Sequence, residues 1–345
     1  MTTSTNDLTY QLFVGVDIAA TTAKVSWLVP GEALTRAISM EQTPQAFSAL
    51  EQRLLSTGHP ASSILVVMEA TGSYWISLAT ALTRADFAVS VINPAQAHHF
   101  ARALLKRAKT DAIDAQTLAQ LAYLLQPALW TPPPQVYAEL QQRLAQRDSL
   151  LELRQQVRNQ LHALSQMPTV ITTVRTRMEQ LIETLTAQLT QVDAEIETAL
   201  ECDPSWATSA QRLQTISGIG PLVAAWLLVT TLNFTLCESA EALTAYAGLA
   251  PHPYQSGTSV HGRACIGHTG NARLRTVLYL ATLSAAQHNP VIKAFYERLR
   301  AAGKPMKVAR CAAARKLLHL AYAVVTHKQD FDPHYQPQHS QATAV

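Results

Sequence analysis

The chain has 345 residues, 48% of them hydrophobic, which is enough to bury substantial cores and excludes an intrinsically disordered protein. A net charge of +3 is too small to indicate nucleic-acid binding by itself, so clusters of basic residues must carry that argument. The cysteines are scattered without a Cys-x-x-Cys pair, which argues against a zinc site or disulfides and favours a cytoplasmic protein. We expect no signal peptide and no membrane span, because the longest apolar run, 221–232, is too short.

Alternating strand-like and helix-like segments predict an α/β sheet in the first part of the chain. Residues 12–18 are a short apolar run typical of a buried strand, and residues 21–29 predict a second strand, paired with it as a hairpin. Residues 43–55 have helical periodicity. Further strands are predicted at 63–69 and 88–94.

Acidic residues lie near the ends of two predicted strands and at the start of a predicted helix. Asp17 and Glu69 each lie near the end of an apolar strand, where burying a charge is costly unless it has a partner. Asp111 and Asp114 lie three residues apart at the start of a predicted helix, so they share one face. Because the carboxyl ends of strands are where ligands bind in an open α/β sheet, all these acids can converge on one site for Mg²⁺.

Each of these acids also has an ordinary structural explanation. Acids are enriched in first helical turns, and an acid at a strand end is often a cap or turn residue. The basic residues Lys106, Arg107 and Lys109 directly precede the acidic helix and favour the metal-site interpretation. They would draw a polyanion towards the position of the metal.

A proline-rich linker at 130–134 separates this region from two long helical patterns. Apolar residues recur at helical spacing through 140–164 and 178–200, which predicts an antiparallel hairpin. It is either a spacer within the chain or a dimerisation element with Leu150, Val157 and Leu161 in its seam. An arginine face on the first helix either contacts nucleic acid or is solvated.

Two glycine-containing segments follow. Gly218 and Gly220 lie between apolar helical patterns, as in a helix-hairpin-helix module that contacts phosphate, although an ordinary helix corner has the same pattern. Residues 255–263 are rich in glycine and serine and form either a phosphate-binding loop or a flexible linker. Basic residues recur through 293–316, and the tail is expected to be disordered.

The acidic motifs resemble those of the DEDD transposases of bacterial insertion sequences. The matching segments are Val16-Asp17, Glu69-Ala70-Thr71-Gly72 and Lys109-Thr110-Asp111-Ala112-Ile113-Asp114-Ala115. The resemblance implies an α/β RNase H-like domain similar to Holliday-junction resolvases, and an Mg²⁺-binding tetrad of Asp17, Glu69, Asp111 and Asp114.

A second set of motifs resembles the C-terminal signature of the same family. It consists of Gly248-Leu249-Ala250-Pro251, Gln255-Ser256-Gly257 and Gly270-Asn271 followed by Leu274-Arg275. The resemblance implies that Ser256 is the nucleophile, although chemistry alone barely separates it from Ser259. The base that activates the serine stays open between His252, His261 and a metal-bound hydroxide.

The residues expected to contact nucleic acid lie in or near the two sets of family-like motifs and in the glycine pair. Arg263 or Arg273 would stabilise charge in the transition state. The complete set of expected nucleic-acid-binding residues is Lys106, Arg107, Lys109, Gly218, Gly220, Arg263, Arg273 and Arg275.

The predicted organisation has four parts: an α/β domain at 1–130, a helical hairpin or coiled coil at 131–205, a mainly α-helical transposase domain at 206–328 and a tail at 329–345. The resemblance implies a recombinase that mobilises an insertion sequence and uses a structured bridge RNA to pair with donor and target DNA. We expect a dimer or tetramer, with an active site that different domains or subunits share. The alternatives are a metal-dependent Holliday-junction-type nuclease without a covalent intermediate, and a non-catalytic nucleic-acid-binding scaffold.

Overall fold

The computed structural model describes residues 10–70, 72–104, 110–256, 260–266 and 269–334, with the backbone alone for the strand residues between 252 and 265. The chain divides into two compact units, Met1–Pro132 and Pro133–Val345. The first is a mixed α/β unit and the second is mostly helical.

The first unit is built on a five-stranded sheet in the order β3-β2-β1-β4-β5. Strand β2 is antiparallel to β1 and β3, whereas β4 is parallel to β1 and β5. The strands predicted from apolar runs are confirmed, and the short β3 was not predicted. Their bounds are β1 Leu12–Ile18, β2 Thr22–Leu28, β3 Ile38–Glu41, β4 Ile64–Glu69 and β5 Ala88–Ile92.

Helices cover both faces of this sheet and bury two separate cores. Alternate strand residues such as Val16 pack with apolar residues of α1 and α2. The strand residues that point to the other face of the sheet, such as Phe13, pack with α3 and α4. The bounds are α1 Pro44–Leu55, α2 Trp75–Arg84, α3 Pro94–Ala103 and α4 Asp111–Leu125. A short 3₁₀ turn at Ala61–Ser63 leads into β4.

Gly15 brings β1 against the backbone of α4. A Cβ atom at this position would overlap the carbonyl oxygen of Ala115 and the backbone nitrogen of Ala119. No larger residue fits without moving the helix, so Gly15 determines how closely α4, with its two acids, approaches the strand.

The second unit opens with the predicted hairpin, formed by α5 Gln135–Ser165 and α6 Thr172–Glu201. Leu150 is buried in the chain's own core, together with Leu185 and Leu189 of α6. The arginine face of α5 meets the acidic end of α6. Arg147 Nε lies 2.5 Å from Asp193 Oδ1, and Arg143 Nε lies 3.7 Å from Glu195 Oε2.

Helices α7 to α12 pack around the base of this hairpin and share its apolar core. Of residues 255–263, predicted as a loop, 255–256 belong instead to strand β6 and 260–263 to the antiparallel strand β7, while 257–259 lie outside the described residues. The bounds are α7 Pro204–Gln214, α8 Pro221–Thr231, α9 Ala240–Tyr246, β6 Pro251–Ser256, β7 Val260–Ile266, α10 Ala272–His288, α11 Pro290–Ala301 and α12 Met306–Thr326.

Two sequence expectations concern the whole chain. Among the described residues, no helix has both the length and the apolarity that a membrane crossing requires. Residues 335–345 of the predicted tail lie outside the described residues. Earlier in that tail, the Phe331 backbone N–H donates a hydrogen bond to Thr215 Oγ1 at 2.9 Å.

Candidate active site

Asp17 and Glu69 occupy equivalent positions on neighbouring parallel strands. The register pairs Val16 of β1 with Met68 of β4, and each acid is the next residue along its strand. Both are partly buried. Side chains at equivalent positions of adjacent strands point to the same face of a sheet, so these two carboxylates are neighbours by register.

That face is the one covered by α4. Phe13 and Leu65 pack in the same core as Leu118 of α4. Asp17 and Glu69 each follow one of these residues by four positions, which preserves the face because side chains alternate along a strand.

Helix α4 runs antiparallel to β1, which brings its first turn to the strand's carboxyl end. The rings of Phe13 and Tyr123 lie 5.2 Å apart, and Gly15 meets the helix farther along, near Ala115. Continuing in this direction, Asp17 lies towards the N-terminal turn, which carries Asp111 and Asp114.

The start of α4 is fixed by a capping residue. Thr110 Oγ1 accepts a hydrogen bond from the Ile113 backbone N–H at 3.3 Å, so the helix begins at Asp111. All the carboxylates predicted from the sequence therefore lie at one edge and on one face of the sheet. The basic residues Lys106, Arg107 and Lys109 lie outside the described residues.

The donor chemistry of this set fits a hard divalent cation. Carboxylate oxygens are the ligands that Mg²⁺ prefers, and a cation offsets the repulsion among like charges held together. In the part of the chain that the structure describes, no three His, Cys, Asp or Glu side chains lie close enough to hold a metal ion as they stand. Among the described residues, the fold thus brings the acids to the same edge of the sheet, but their side chains do not form a complete set of metal ligands.

Sequence reasoning missed Lys24, which the sheet register places directly opposite Asp17 on β2. Directly opposite residues on antiparallel strands share a face, so this ammonium group lies on the carboxylate side. A lone cation within the apolar strand 22–28 was the available signal. Lys24 adds positive charge where a phosphate would approach the acids.

Ser256 is the last residue of β6, at the turn end of the β6–β7 hairpin. Its backbone pairs with Val260, and the preceding Gln255 pairs with His261. Residues 257–259, including Ser259, lie outside the described residues, as do the side chains of Ser256, His252, His261 and Arg263. The backbone alone therefore places the predicted nucleophile beside the end of a two-stranded ribbon.

Arg273 lies at the start of α10 in a polar and aromatic pocket of the second unit. Its guanidinium forms an ion pair with Asp148 of α5 and lies 4.0 Å from the ring centroid of Trp226. Burial lowers the pKa of Arg273, and the nearby Arg147 lowers it further. Its buried Nε has no hydrogen-bond partner. The predicted nucleic-acid contact of Arg273 stays a prediction.

The predicted glycine pair lies in the corner between α7 and α8. Gly218 has a φ of +105°, and a Cβ there would lie 2.6 Å from the Ala285 Cβ of α10, so it has a packing role. Gly220 precedes α8, and a Cβ there would meet nothing within 4 Å. Phosphate binding by this corner stays a prediction.

Comparisons with known proteins decide the family. A family model for the DEDD transposases of IS110 matches residues 14–167, and one for the transposase family IS116/IS110/IS902 matches residues 210–297. The pilin gene-inverting protein of Moraxella bovis is 31% identical over 321 residues, which cover 93% of this chain and 97% of that protein. The chain belongs to the IS110 family of DEDD transposases.

Other relatives of the IS110-family chain extend over most of its length. The pilin gene-inverting protein of Moraxella lacunata has the same identity and coverage as its Moraxella bovis counterpart. The transposase for insertion sequence element IS1328 of Yersinia enterocolitica is 24% identical over 292 residues, covering 76% of this chain and 84% of that protein. Family membership makes this chain a transposase, an enzyme of DNA recombination.

Proposed function

We propose that this transposase cuts and rejoins DNA through a covalent phosphoserine at Ser256, assisted by Mg²⁺ at Asp17, Glu69, Asp111 and Asp114. The observation that carries the proposal is the placement of these acids at one edge and on one face of the sheet. Mg²⁺ held there would supply Lewis-acid stabilisation to the phosphate undergoing transfer.

The chemistry at the serine is a pair of transesterifications. The Ser256 hydroxyl loses its proton to a base, its oxygen attacks the DNA phosphorus, and the bond from phosphorus to one deoxyribose oxygen breaks. That oxygen leaves as a hydroxyl group. A hydroxyl of the partner DNA end then attacks the phosphoserine and releases the serine, so the number of phosphodiester bonds is conserved.

We also propose that the first unit is RNase H-like. The support is its sheet, in which β1 to β3 are sequential and antiparallel while β4 and β5 add in parallel on the other side of β1. This topology exposes the ends of β1 and β4 together, where a phosphodiester can reach both acids.

A basic segment supports contact with nucleic-acid backbone. Residues 290–326 contain eight lysines and arginines but only one acid, Glu297. The Phe295 ring holds two of these cations, because Arg298 Cζ lies 5.3 Å and Lys316 Nζ 4.8 Å from its centroid. Burial lowers the pKa of Lys316, and the charge of Arg298 lowers it further. Such a cation-rich surface attracts phosphates without reading their sequence.

We propose that a structured bridge RNA supplies the sequence specificity and pairs with donor and target DNA in the bacterial cytoplasm. Base pairing would explain backbone-type contacts without a base-reading helix. RNA that co-purifies with the protein is expected, on sequencing, to be one dominant structured species from DNA flanking its own gene. A mixture of unrelated cellular RNAs would contradict guidance by RNA.

The metal-dependent junction nuclease is the second candidate, favoured by the carboxylate edge alone. A nuclease releases free DNA ends and never carries DNA covalently. Denaturing electrophoresis of the protein after reaction with end-labelled DNA separates the two, because only the phosphoserine mechanism transfers the label to the protein band.

We propose that the distal half of the α5–α6 hairpin joins copies of this chain into a dimer or tetramer. Leu153 and Leu181 are about half exposed there, at 50% and 46%, whereas Leu150 nearer the base is 8% exposed. Apolar side chains at helical spacing on an exposed helix pair are typical of a coiled-coil seam.

Replacing Leu153 and Leu181 together with lysine is therefore expected to lower the mass of the full-length protein measured by light scattering. The matched control replaces Gln155 and Gln180, which are exposed polar residues on the same two helices, with lysine and should keep the assembly. An unchanged mass in both variants would leave the hairpin as a spacer.

A further inference from the structure

The hairpin that carries Ser256 is described through the backbone of 251–256 and 260–266. Strands β6 and β7 form a separate two-stranded sheet. An isolated pair of strands is marginally stable in water, so its orientation depends on how its base is attached. The base consists of residues 246–248, before β6, and residues 269–271, after β7.

The two sides of the base are joined through their backbones. The Asn271 N–H donates to the Tyr246 carbonyl at 2.7 Å. Gly248 and Gly270 have φ values of +67° and +87°. A Cβ at Gly270 would lie 2.6 Å from the Gly248 nitrogen, and one at Gly248 would overlap the Thr269 carbonyl oxygen. The two chain segments therefore touch without room for side chains.

Arg275 reaches both sides of the base with one nitrogen. Its Nη1 donates to the Ala247 carbonyl at 3.2 Å and to the Thr269 carbonyl at 3.1 Å. Hydrogen bonds from a charged donor are stronger than those from a neutral one. Because the guanidinium is planar and rigid, bonding to both carbonyl oxygens fixes the distance between the two chain segments. Arg273, two residues earlier on α10, pairs with Asp148 instead.

Asn271 ties the same base to the start of α10. Its Oδ1 accepts from the Leu274 N–H at 3.0 Å, and its Nδ2 donates to the Tyr246 hydroxyl at 3.1 Å. One side chain therefore caps the helix and also holds the residue at the other side of the base.

We propose that Asn271 and Arg275 are positioning residues that clamp the base of the β6–β7 hairpin and so aim Ser256 at the DNA phosphate. This inference rests on the proposed serine mechanism. It gives Arg275 a role in orienting the nucleophile in place of the phosphate contact expected from its charge. A misplacement of about 1 Å at a reacting group can cost about 10²-fold in rate, so loosening the base should slow the chemistry selectively.

The test uses the full-length protein and its DNA with Asn271→Ser, Tyr246→Phe and Arg275→Gln. Serine still caps the helix but is too short to reach Tyr246, and phenylalanine removes the same hydrogen bond from the other side. Each variant should form the covalent adduct about 10- to 100-fold more slowly at saturating DNA, with the DNA dissociation constant within about twofold. The Asn271→Ser and Tyr246→Phe effects should be non-additive in the double variant.

Two comparisons make the result decisive. Thr276→Ala, at an exposed α10 residue whose hydroxyl donates to the Ala272 carbonyl of the same helix, should behave as wild type. Arg275→Lys should recover part of the rate, because the ammonium keeps a charged donor. The contrary outcome is that Arg275→Gln raises the DNA dissociation constant and reduces, by about one, the slope of the logarithm of affinity against the logarithm of salt concentration. That result would assign Arg275 to a phosphate contact and overturn the clamp.

Amide hydrogen exchange separates the clamp from the serine mechanism. Asn271→Ser and Arg275→Gln should speed exchange of the paired amides in 251–266 while the rest of the second unit stays protected. If the wild type forms no adduct, the serine mechanism is wrong. The exchange rates still show whether Asn271 and Arg275 hold the base of the hairpin. Unchanged exchange in both variants would refute it, and global loss of protection would show a purely structural role.

Discussion

Ser256→Ala is expected to eliminate the covalent protein–DNA adduct while DNA binding and metal binding survive. The substitution removes only the hydroxyl oxygen that would bond to phosphorus, and alanine is tolerated at a strand end. Incubation with end-labelled DNA, denaturation and electrophoresis measure the adduct directly. The variant should show no labelled protein band above background.

Ser259→Ala is the matched control, because it removes the same atom from the same glycine- and serine-rich segment. Gly257 next to Ser256 lets backbone approach a phosphate closely, whereas Ser259 precedes the β-branched Val260, which crowds that approach. Adduct formation by Ser259→Ala should therefore persist. The reverse pattern would move the nucleophile to Ser259, and an adduct in both variants would show that this segment contains no nucleophile.

Asp114→Asn is expected to reduce strand cleavage by at least about 10²- to 10³-fold, the range seen when one electrostatic group is removed from an active site. The amide keeps the size of the side chain but lacks the negative charge that a shared Mg²⁺ needs. Nucleic-acid binding should change little. Cleavage is measured with labelled DNA over a range of Mg²⁺ concentrations, and calorimetric Mg²⁺ titration should show weaker binding.

Asp86→Asn provides a control with the same chemical change. Asp86 lies in the turn before β5, at the opposite edge of the sheet, with a φ of +64°. Asparagine accepts this left-handed conformation as readily as aspartate, so folding is preserved. Wild-type cleavage by Asp114→Asn would refute the tetrad. Equal loss in Asp86→Asn would indicate a general effect of charge.

Local pattern was sufficient for the α/β elements and for the acids. Apart from Asp17 in β1 and Glu69 at the end of β4, these two strands are apolar, as buried parallel strands usually are. The helix starting at Asp111 has a capping threonine directly before it. By contrast, β3 has four residues that alternate between exposed and partly buried, so it has no apolar run to detect.

The β6–β7 hairpin escaped prediction for a different reason. Residues 255–263 are rich in glycine and serine, a composition typical of loops, and an isolated pair of strands is only marginally stable without contacts to the rest of the chain. The Arg275–Ala247 and Asn271–Tyr246 contacts join residues 25 or more positions apart, and no local pattern encodes them.

The sequence by itself determined which residues are proposed to carry the chemistry, because strand-end acids and the acidic helix start are local features, and the serine lies in a motif that resembles the family. Only the tertiary structure decided how they are used. The β1–β4 register places Asp17 beside Glu69, and the absent side chain of Gly15 lets α4 approach them. Arg273 and Arg275 have equal charge and lie two residues apart, yet one pairs with Asp148 and the other donates to the backbone carbonyls of Ala247 and Thr269. Charge is local, whereas the partner that a charge meets depends on packing between distant segments.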